Sequence, residues 1–238
     1  MPAVIPAKAG TGIHAFPSAI ELADALASSV TNALTRHIAD HGIATLAVSG
    51  GTTPVKFFQA LAARQLNWAA VTITLVDDRW VPESSPRSNA GLVRQHLLQG
   101  RAAAAVFVPL VNGAETPEAG LSAADEAIAK LRPFTAVVLG MGTDGHTASF
   151  FPGGDHLAQA LAPMRGQNVD TMRAEAAGEP RITLTLPVLL EAGTLALHIE
   201  GTAKRQVLDA ARHPGPVEDM PIRAILARDP APEIFWSP

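Results

Sequence analysis

Apolar positions along this chain recur with two different periods, and the switches between them lay out its elements. In "SAIELADALASSVTNALTRHIADHG", residues 18–42, Leu22, Leu26, Val30, Leu34 and Ile38 fall four apart, the spacing of one helix face. Ser18 and Glu21 form a capping box after Pro17, and Gly42 offers a stop. "ATLAVSG" follows as a short continuous apolar run, the mark of a buried strand. "TPVKFFQALAAR" predicts a helix with Thr53 as N-cap and Pro54 at its first position. The alternation continues with a strand in "VTITLVDD" and a helix in "SNAGLVRQHLLQG", capped by Ser88 and Asn89 and ending near Gly100. A short strand in "AVFVPL", a second Thr-Pro helix start in "TPEAGLSAADEAIAKLRP" and a strand in "TAVVLGMG" come next. After Pro152 the pattern weakens. "RITLTLP" alternates Ile182, Leu184 and Leu186 with Arg181, Thr183 and Thr185, which predicts one face in solvent or lining a site. "TLALHIEG" is a further strand, followed by a helix from about Thr202 to Arg212.

Strands alternating with helices predict an α/β fold: a single domain over residues 1–238, with a mostly parallel, doubly wound, Rossmann-like sheet and helices on both faces. Such sheets bind ligands at the carboxyl ends of their strands. The unusual residues of this chain cluster just after predicted strands: Ser49, Gly50, Gly51, Thr52 and Thr53; Asp77, Asp78 and Arg79; Gly140 to His146; and Gly201 to Lys204. Parallel strands would bring all of these loops to one rim.

Composition narrows the classes. The 238 residues are 47% hydrophobic and 17% charged, a globular balance. A net charge of −4 without a basic stretch argues against nucleic acid or an anionic membrane surface as partner. The absence of cysteine removes disulfides, thiol catalysis and Cys-ligated zinc. The N-terminal "MPAVIPAKAGTGIHAF" holds no long apolar segment, and no run reaches membrane-spanning length, so a soluble, cytoplasmic protein is expected.

The most conspicuous stretch is "VVLGMGTDGHTASFFPGG", residues 137–154. Gly140, Gly142 and Gly145 spell G-x-G-x-x-G, but a dinucleotide loop needs a long helix after the third glycine and an acid about 20 residues on. Here Pro152 and the Gly153–Gly154 pair interrupt any such helix. Asp144, His146, Asp155 and His156 lack a metal-ligand spacing, so no metal is expected. What remains is a histidine two residues after an aspartate in a glycine-rich bend, a pairing that orients an imidazole as a general base. "SGGTTP" is no Walker loop, yet a strand, a glycine pair, two hydroxyls and a helix start offer backbone N–H groups to an anion. Lys204 in a first helical turn opposes the helix dipole and gains from a nearby anion; Arg181 offers a second cation. Asp77 and Asp78 beside Arg79 fit proton handling or sugar hydroxyls as well as a structural salt bridge. Phe150 and Phe151 read as core.

Taken in order, "SGGTTP", "DDRWVP" followed by "SN", "GMGTDGHTASFFPG", "RITLTLP" and "GTAKRQVL" resemble the 6-phosphogluconolactonase family, within the wider glucosamine-6-phosphate isomerase/6-phosphogluconolactonase superfamily. The resemblance spans residues 49 to about 208. Asp78 replaces the commoner glutamate of the second loop, and "SFFP" the commoner "SLFP". The resemblance implies hydrolysis of a sugar-phosphate lactone, 6-phospho-D-glucono-1,5-lactone, without metal or organic cofactor. By it, His146 is the base that activates water, Arg79 and the glycines at 50–51 contact substrate, and Lys204 and Arg181 lie near the phosphate. Asp144 would orient His146, and Arg79 or N–H groups would hold the oxyanion. The isomerase/deaminase branch carries a loop resembling D-G-H-I-A-F-N-E-P; aligned from Asp144, its glutamate falls on Phe151, which moves no proton. A non-catalytic sugar-phosphate sensor on the same scaffold is the other alternative, and the intact Asp144/His146 pair argues against it. The partner expected is the small substrate alone, with the chain a monomer or small homo-oligomer.

Overall fold

The computed structural model describes residues 12–238 and the backbone of residues 4–5. Most of the N-terminal stretch read for a leader therefore lies outside the described residues. The first half runs β1 (Val4–Ile5), β2 (Ile13–Ala15), α1 (Ala19–His41), β3 (Ala44–Val48), α2 (Val55–Ala62), β4 (Val71–Leu75), β5 (Asp77–Arg79), α3 (Asn89–His96), β6 (Val106–Phe107) and α4 (Pro117–Ala129). The second half runs β7 (Ala136–Leu139), α5 (Leu157–Leu161), β8 (Val169–Met172), β9 (Arg181–Leu184), α6 (Leu186–Leu190) and β10 (Thr194–Glu200). It closes with α7 (Thr202–Ala211), β11 (Gly215–Pro216), α8 (Ile222–Leu226) and β12 (Glu233–Ser237).

The signals at the ends of α1 act as expected. Ser18 Oγ accepts the Glu21 N–H at 3.3 Å, and Gly42, at φ 82°, donates its N–H to the Ile38 carbonyl at 2.8 Å. Leu22, Leu26, Val30 and Leu34 are fully buried, each contributing about 2 kcal/mol by burial. This face lies across β3, β7, β10 and β12 and along α2.

Seven strands form one all-parallel sheet in the order β2-β12-β10-β7-β3-β4-β6. From β3 the chain builds outward through β4 and β6, then returns to place β7 on the other side of β3 and continues to β10 and β12. The winding therefore reverses between β3 and β7. β7 and the interior of β10 are buried on both faces, which is why they read as unbroken apolar runs and not as alternating ones. The short strands β2, β8 and β12 escape the sequence pattern because three to five residues between turns carry too little period.

Two expectations need correction. "VTITLVDD" is not one strand. Val76 donates its N–H to Val48 in the parallel sheet, while its carbonyl accepts from Leu184, and the chain leaves as β5. β5, β9 and β8 make a separate three-stranded antiparallel sheet. "RITLTLP" supplies its central strand; of the two alternatives the solvated face is absent, since Ile182, Thr183, Leu184 and Thr185 are all 0% exposed, while Arg181 does line the cavity described below. Its polar residues are instead bonded internally, Thr183 accepting from Ser149 N at 3.3 Å and Thr185 donating to Gln167 O at 3.1 Å.

Asp78 ties the second sheet to α3. Its fully buried carboxylate accepts N–H bonds from Arg79 and Asn89, both at 2.7 Å, and from Ala90 at 3.0 Å. Burial pushes the carboxyl up from an ordinary 3.8 to about 6, against those N–H donors, with Asp77 adding to the rise. The folded chain thus holds this proton longer than the unfolded chain, and the group lowers stability as pH rises from 3.8 to about 6. Asp78→Asn should flatten the stability–pH curve in that window relative to the parent, whatever its absolute cost. Urea unfolding at about pH 4 and about pH 6 measures the difference, and an unchanged slope would refute the assignment.

Candidate active site

The reversal between β3 and β7 opens the crevice expected of such a sheet. Ser49, the first residue past β3, closes its floor by donating its N–H to Val138 O at 2.9 Å and accepting the Gly140 N–H on Oγ at 3.0 Å. Above it lies a cavity of about 380 Å³ lined by residues of all the strand-end loops picked out from the sequence. Ser49, Gly50, Gly51, Thr52, Thr53, Asp77, Arg79, His146, Arg181 and Lys204 all face it; Asp144 stands behind His146.

The loop after β7 shows what each glycine of the apparent fingerprint does. Gly140 continues the seam with Ser49. Gly142 donates its N–H to His146 O at 2.9 Å, and a Cβ on it would lie 2.2 Å from His146 Nδ1 and 2.5 Å from Asp144 Oδ1. Only a glycine lets the imidazole and carboxylate meet there. Gly145 adopts φ 82° and accepts from Ile222 N at 3.0 Å. Thr147 Oγ1 donates to Gly140 O at 2.8 Å and shuts the bend. Ala148, at φ 48°, is a left-handed non-glycine residue next to the histidine, a strain of about 1 kcal/mol.

Within this bend His146 Nδ1 lies 2.6 Å from Asp144 Oδ1, which also accepts the His146 backbone N–H at 3.1 Å. A carboxylate only accepts, so Nδ1 carries the proton and Nε2 is left with its lone pair. Partial burial works against the charge of Asp144, but the bonds and field of His146 outweigh it and hold the carboxyl below its ordinary value. The imidazole also rests on Phe151, with centroids 4.3 Å apart. Phe150 and Phe151 are buried as expected, and Phe151 in addition forms cavity wall.

At another wall, α2 and α7 both begin without a side-chain cap, so their first N–H groups are open to a ligand. Thr53 is therefore not the N-cap expected of it. The helix starts one residue later, after Pro54, and the Thr53 hydroxyl accepts from Lys204 Nζ at 3.2 Å. The same Thr-Pro signature at Thr116 does cap its helix, with Oγ1 accepting from Ala119 N at 3.2 Å.

The third wall is the antiparallel sheet, where Arg79 and Arg181 are paired across the ladder. Arg79 Nη1 donates to Arg87 O at 2.8 Å and Asn89 Oδ1 at 2.9 Å. Arg181 Nη2 donates to Ala177 O at 2.8 Å, and its guanidinium lies over Phe151, 5.4 Å from the ring centre. Asp77 is the counter-charge of Arg181, at 3.7 Å, and accepts from Ser149 Oγ at 2.6 Å. The two acids of the second loop thus part company: Asp77 faces the cavity within this network, and Asp78 is wholly engaged with backbone N–H groups. Asp155 and His156 belong elsewhere, Asp155 accepting from Arg173 N and His156 pairing with Asp170 at 3.1 Å.

Several cavity-related residues were missed, Arg87 among them. Asn89 is not a cap; Ser88 is, accepting from Gly91 N at 3.1 Å, while Asn89 spans Arg79 and the Asp77 carbonyl. Its side chain fills the space a Cβ on Gly50 would need, 2.0 Å away. Ser149 and His198 carried no spacing signal at all.

A cavity at the reversal of a parallel sheet, carrying a His–Asp pair and a lysine, places the chain among the α/β proteins that hold their ligand at a topological switch point. The chain belongs to the glucosamine-6-phosphate isomerases/6-phosphogluconolactonase family, whose model matches residues 17–236. It is 54% identical over 227 residues to a 6-phosphogluconolactonase of Mesorhizobium japonicum, covering 94% of each chain. To that of Rhizobium meliloti it is 52% identical, covering 95% of this chain and 98% of the relative. The crystal structure of a 6-phosphogluconolactonase from Shewanella baltica OS155 superposes with a TM-score of 0.93 at 40% identity, over 96% of this chain and 98% of that one.

Gly142→Ala should separate His146 from Asp144 while leaving the sheet intact. Ring ¹⁵N shifts of His146 should report the Nδ1–H tautomer in the parent and a tautomer mixture in the variant. An unchanged tautomer would show that the bend accommodates a Cβ and that the glycine is not required there.

Proposed function

We propose that this chain hydrolyses 6-phospho-D-glucono-1,5-lactone to 6-phospho-D-gluconate, the second step of the oxidative pentose phosphate pathway. The observation that carries the reading is the His146–Asp144 pair, 2.6 Å apart, opening on the same cavity as Lys204 and the uncapped start of α2. A base at one wall and an anion subsite at another are what a phosphorylated lactone requires.

In this mechanism Asp144 fixes the tautomer of His146, and Nε2 takes a proton from water as the hydroxide attacks C1. The carbonyl oxygen becomes an oxyanion, and Arg79, whose side chain lines the cavity, is the cation that holds it. The imidazolium returns its proton to the departing ring oxygen, and Asp144 stabilises the charged ring meanwhile. Thr53, Lys204 and the N–H groups of residues 50–53 hold the phosphate, and Arg181, fixed by Asp77, adds a second cation beside the sugar. Phe151 supports this branch of the family over the isomerase branch. The residue resting on His146 is a phenyl ring, where ring opening and isomerisation call for a second proton carrier.

Freshly generated lactone, with EDTA present and the spontaneous rate subtracted, is the substrate for the test. His146→Ala should lower kcat/KM by about 10³-fold and Asp144→Asn by at least about tenfold, both with the parent's melting temperature. No turnover above background by the parent would refute the reaction. Full activity in His146→Ala would retain the reaction and refute the base.

A further inference from the structure

His198 lines the cavity but has no part in the mechanism above. It sits in β10, 2% exposed, edge-on to Phe57 of α2 and paired across the ladder with Phe235 of β12. Among the described residues its one polar contact is to its own strand, Nε2 lying 3.1 Å from Glu200 Oε1. The carboxylate can only accept, so the ring nitrogen donates. That bond, followed by the opposing effect of burial, leaves the Glu200 carboxyl below its ordinary value and therefore charged.

A carboxylate at this place is unexpected, because it lies at the cationic end of the cavity. Burial draws Lys204 below its ordinary value, and Glu200 is the charge that counters this. Lys56 of α2 acts on Glu200 as well, while α1 buries only apolar residues and its Ser29 is bonded to Glu233 of β12. Even so, Glu200 does not pair with Lys204. The ammonium has three donors, and its bond is to the neutral Thr53 hydroxyl at 3.2 Å. Glu200 is spent on His198.

We propose that His198 is a positioning residue of the anion subsite: by holding the Glu200 carboxylate it keeps that charge off Lys204 and leaves the ammonium donors to the substrate's phosphate. The inference rests on the reading of Thr53 and Lys204 as the phosphate end. Released from His198, Glu200 would swing onto the nearest buried cation and compete with the phosphate for it.

The test reads inorganic phosphate binding by calorimetry beside KM and kcat for the lactone. His198→Leu should weaken phosphate and raise KM about tenfold, with kcat held within about twofold. Adding Glu200→Gln to that variant should restore both, since a neutral amide no longer neutralises the lysine. Glu200→Gln alone should bind phosphate at least as tightly as the parent, and His198→Gln, which keeps a donor, should stay near it. These two variants carry the test if His198→Leu fails to fold. Weaker phosphate binding by Glu200→Gln, or a double variant no better than His198→Leu, would overturn the proposal. The expected phosphate pattern without lactone turnover would keep His198 in this role and remove the reading of the reaction. Lactone turnover with phosphate binding indifferent to both residues would do the reverse.

Discussion

Everything at the site hangs on the seam between β3 and β7, where the winding of the parallel sheet reverses. Two neighbouring strands end side by side there, and their continuing chains depart on different courses. Ser49 joins them through its own N–H and its hydroxyl, so the loop after β3 and the histidine loop share one anchor. The strands beneath are held by apolar burial on both faces, which gives this anchor a rigid base. The rim thus stands on two strands whose buried side chains are all apolar.

The cavity is nonetheless built from two frames. The parallel sheet delivers His146, Thr53 and Lys204 on the ends of β3, β7 and β10, while the small antiparallel sheet delivers Arg79 and Arg181. Val76 is the residue where one frame passes into the other, bonding to both. Burying Asp77, Asp78 and Arg181 would be costly without partners, and each has them: Ser149 and Arg181 for Asp77, three N–H groups for Asp78. Satisfied polar networks of this kind set geometry more than they add stability.

The sequence made the parallel sheet legible because its strands are short continuous apolar runs and its helices carry clear caps. It made the rim legible too, because chemistry collects where such strands stop. What it concealed follows from long-range pairing. β5 and β9 lie about a hundred residues apart, and nothing in "DDR" or "RITLTLP" alone says that each completes the other. The alternation in "RITLTLP" looked like a solvent face because buried threonines, satisfied by Ser149 and Gln167, have the same pattern as exposed ones. Thr53 looked like a cap because a lysine far along the chain is invisible to local rules. His198 was hidden inside an apolar run, and Asn89 behind the serine that really does cap its helix. The glycines at 140, 142 and 145 spelled the wrong motif for a sound reason: close approach of backbone is needed around an imidazole as it is around a pyrophosphate.

Gly50 and Asn89 occupy one shared volume, the amide of one standing where the other would carry a methyl group. Neither residue is free to drift independently. A larger residue at 50 evicts the amide that aligns Arg79, and a smaller residue at 89 leaves Arg79 Nη1 with the Arg87 carbonyl alone. Loop and helix start therefore form a single heritable unit, and a transplant of "SGGTTP" into another scaffold would carry over its shape but not the guanidinium it keeps in register.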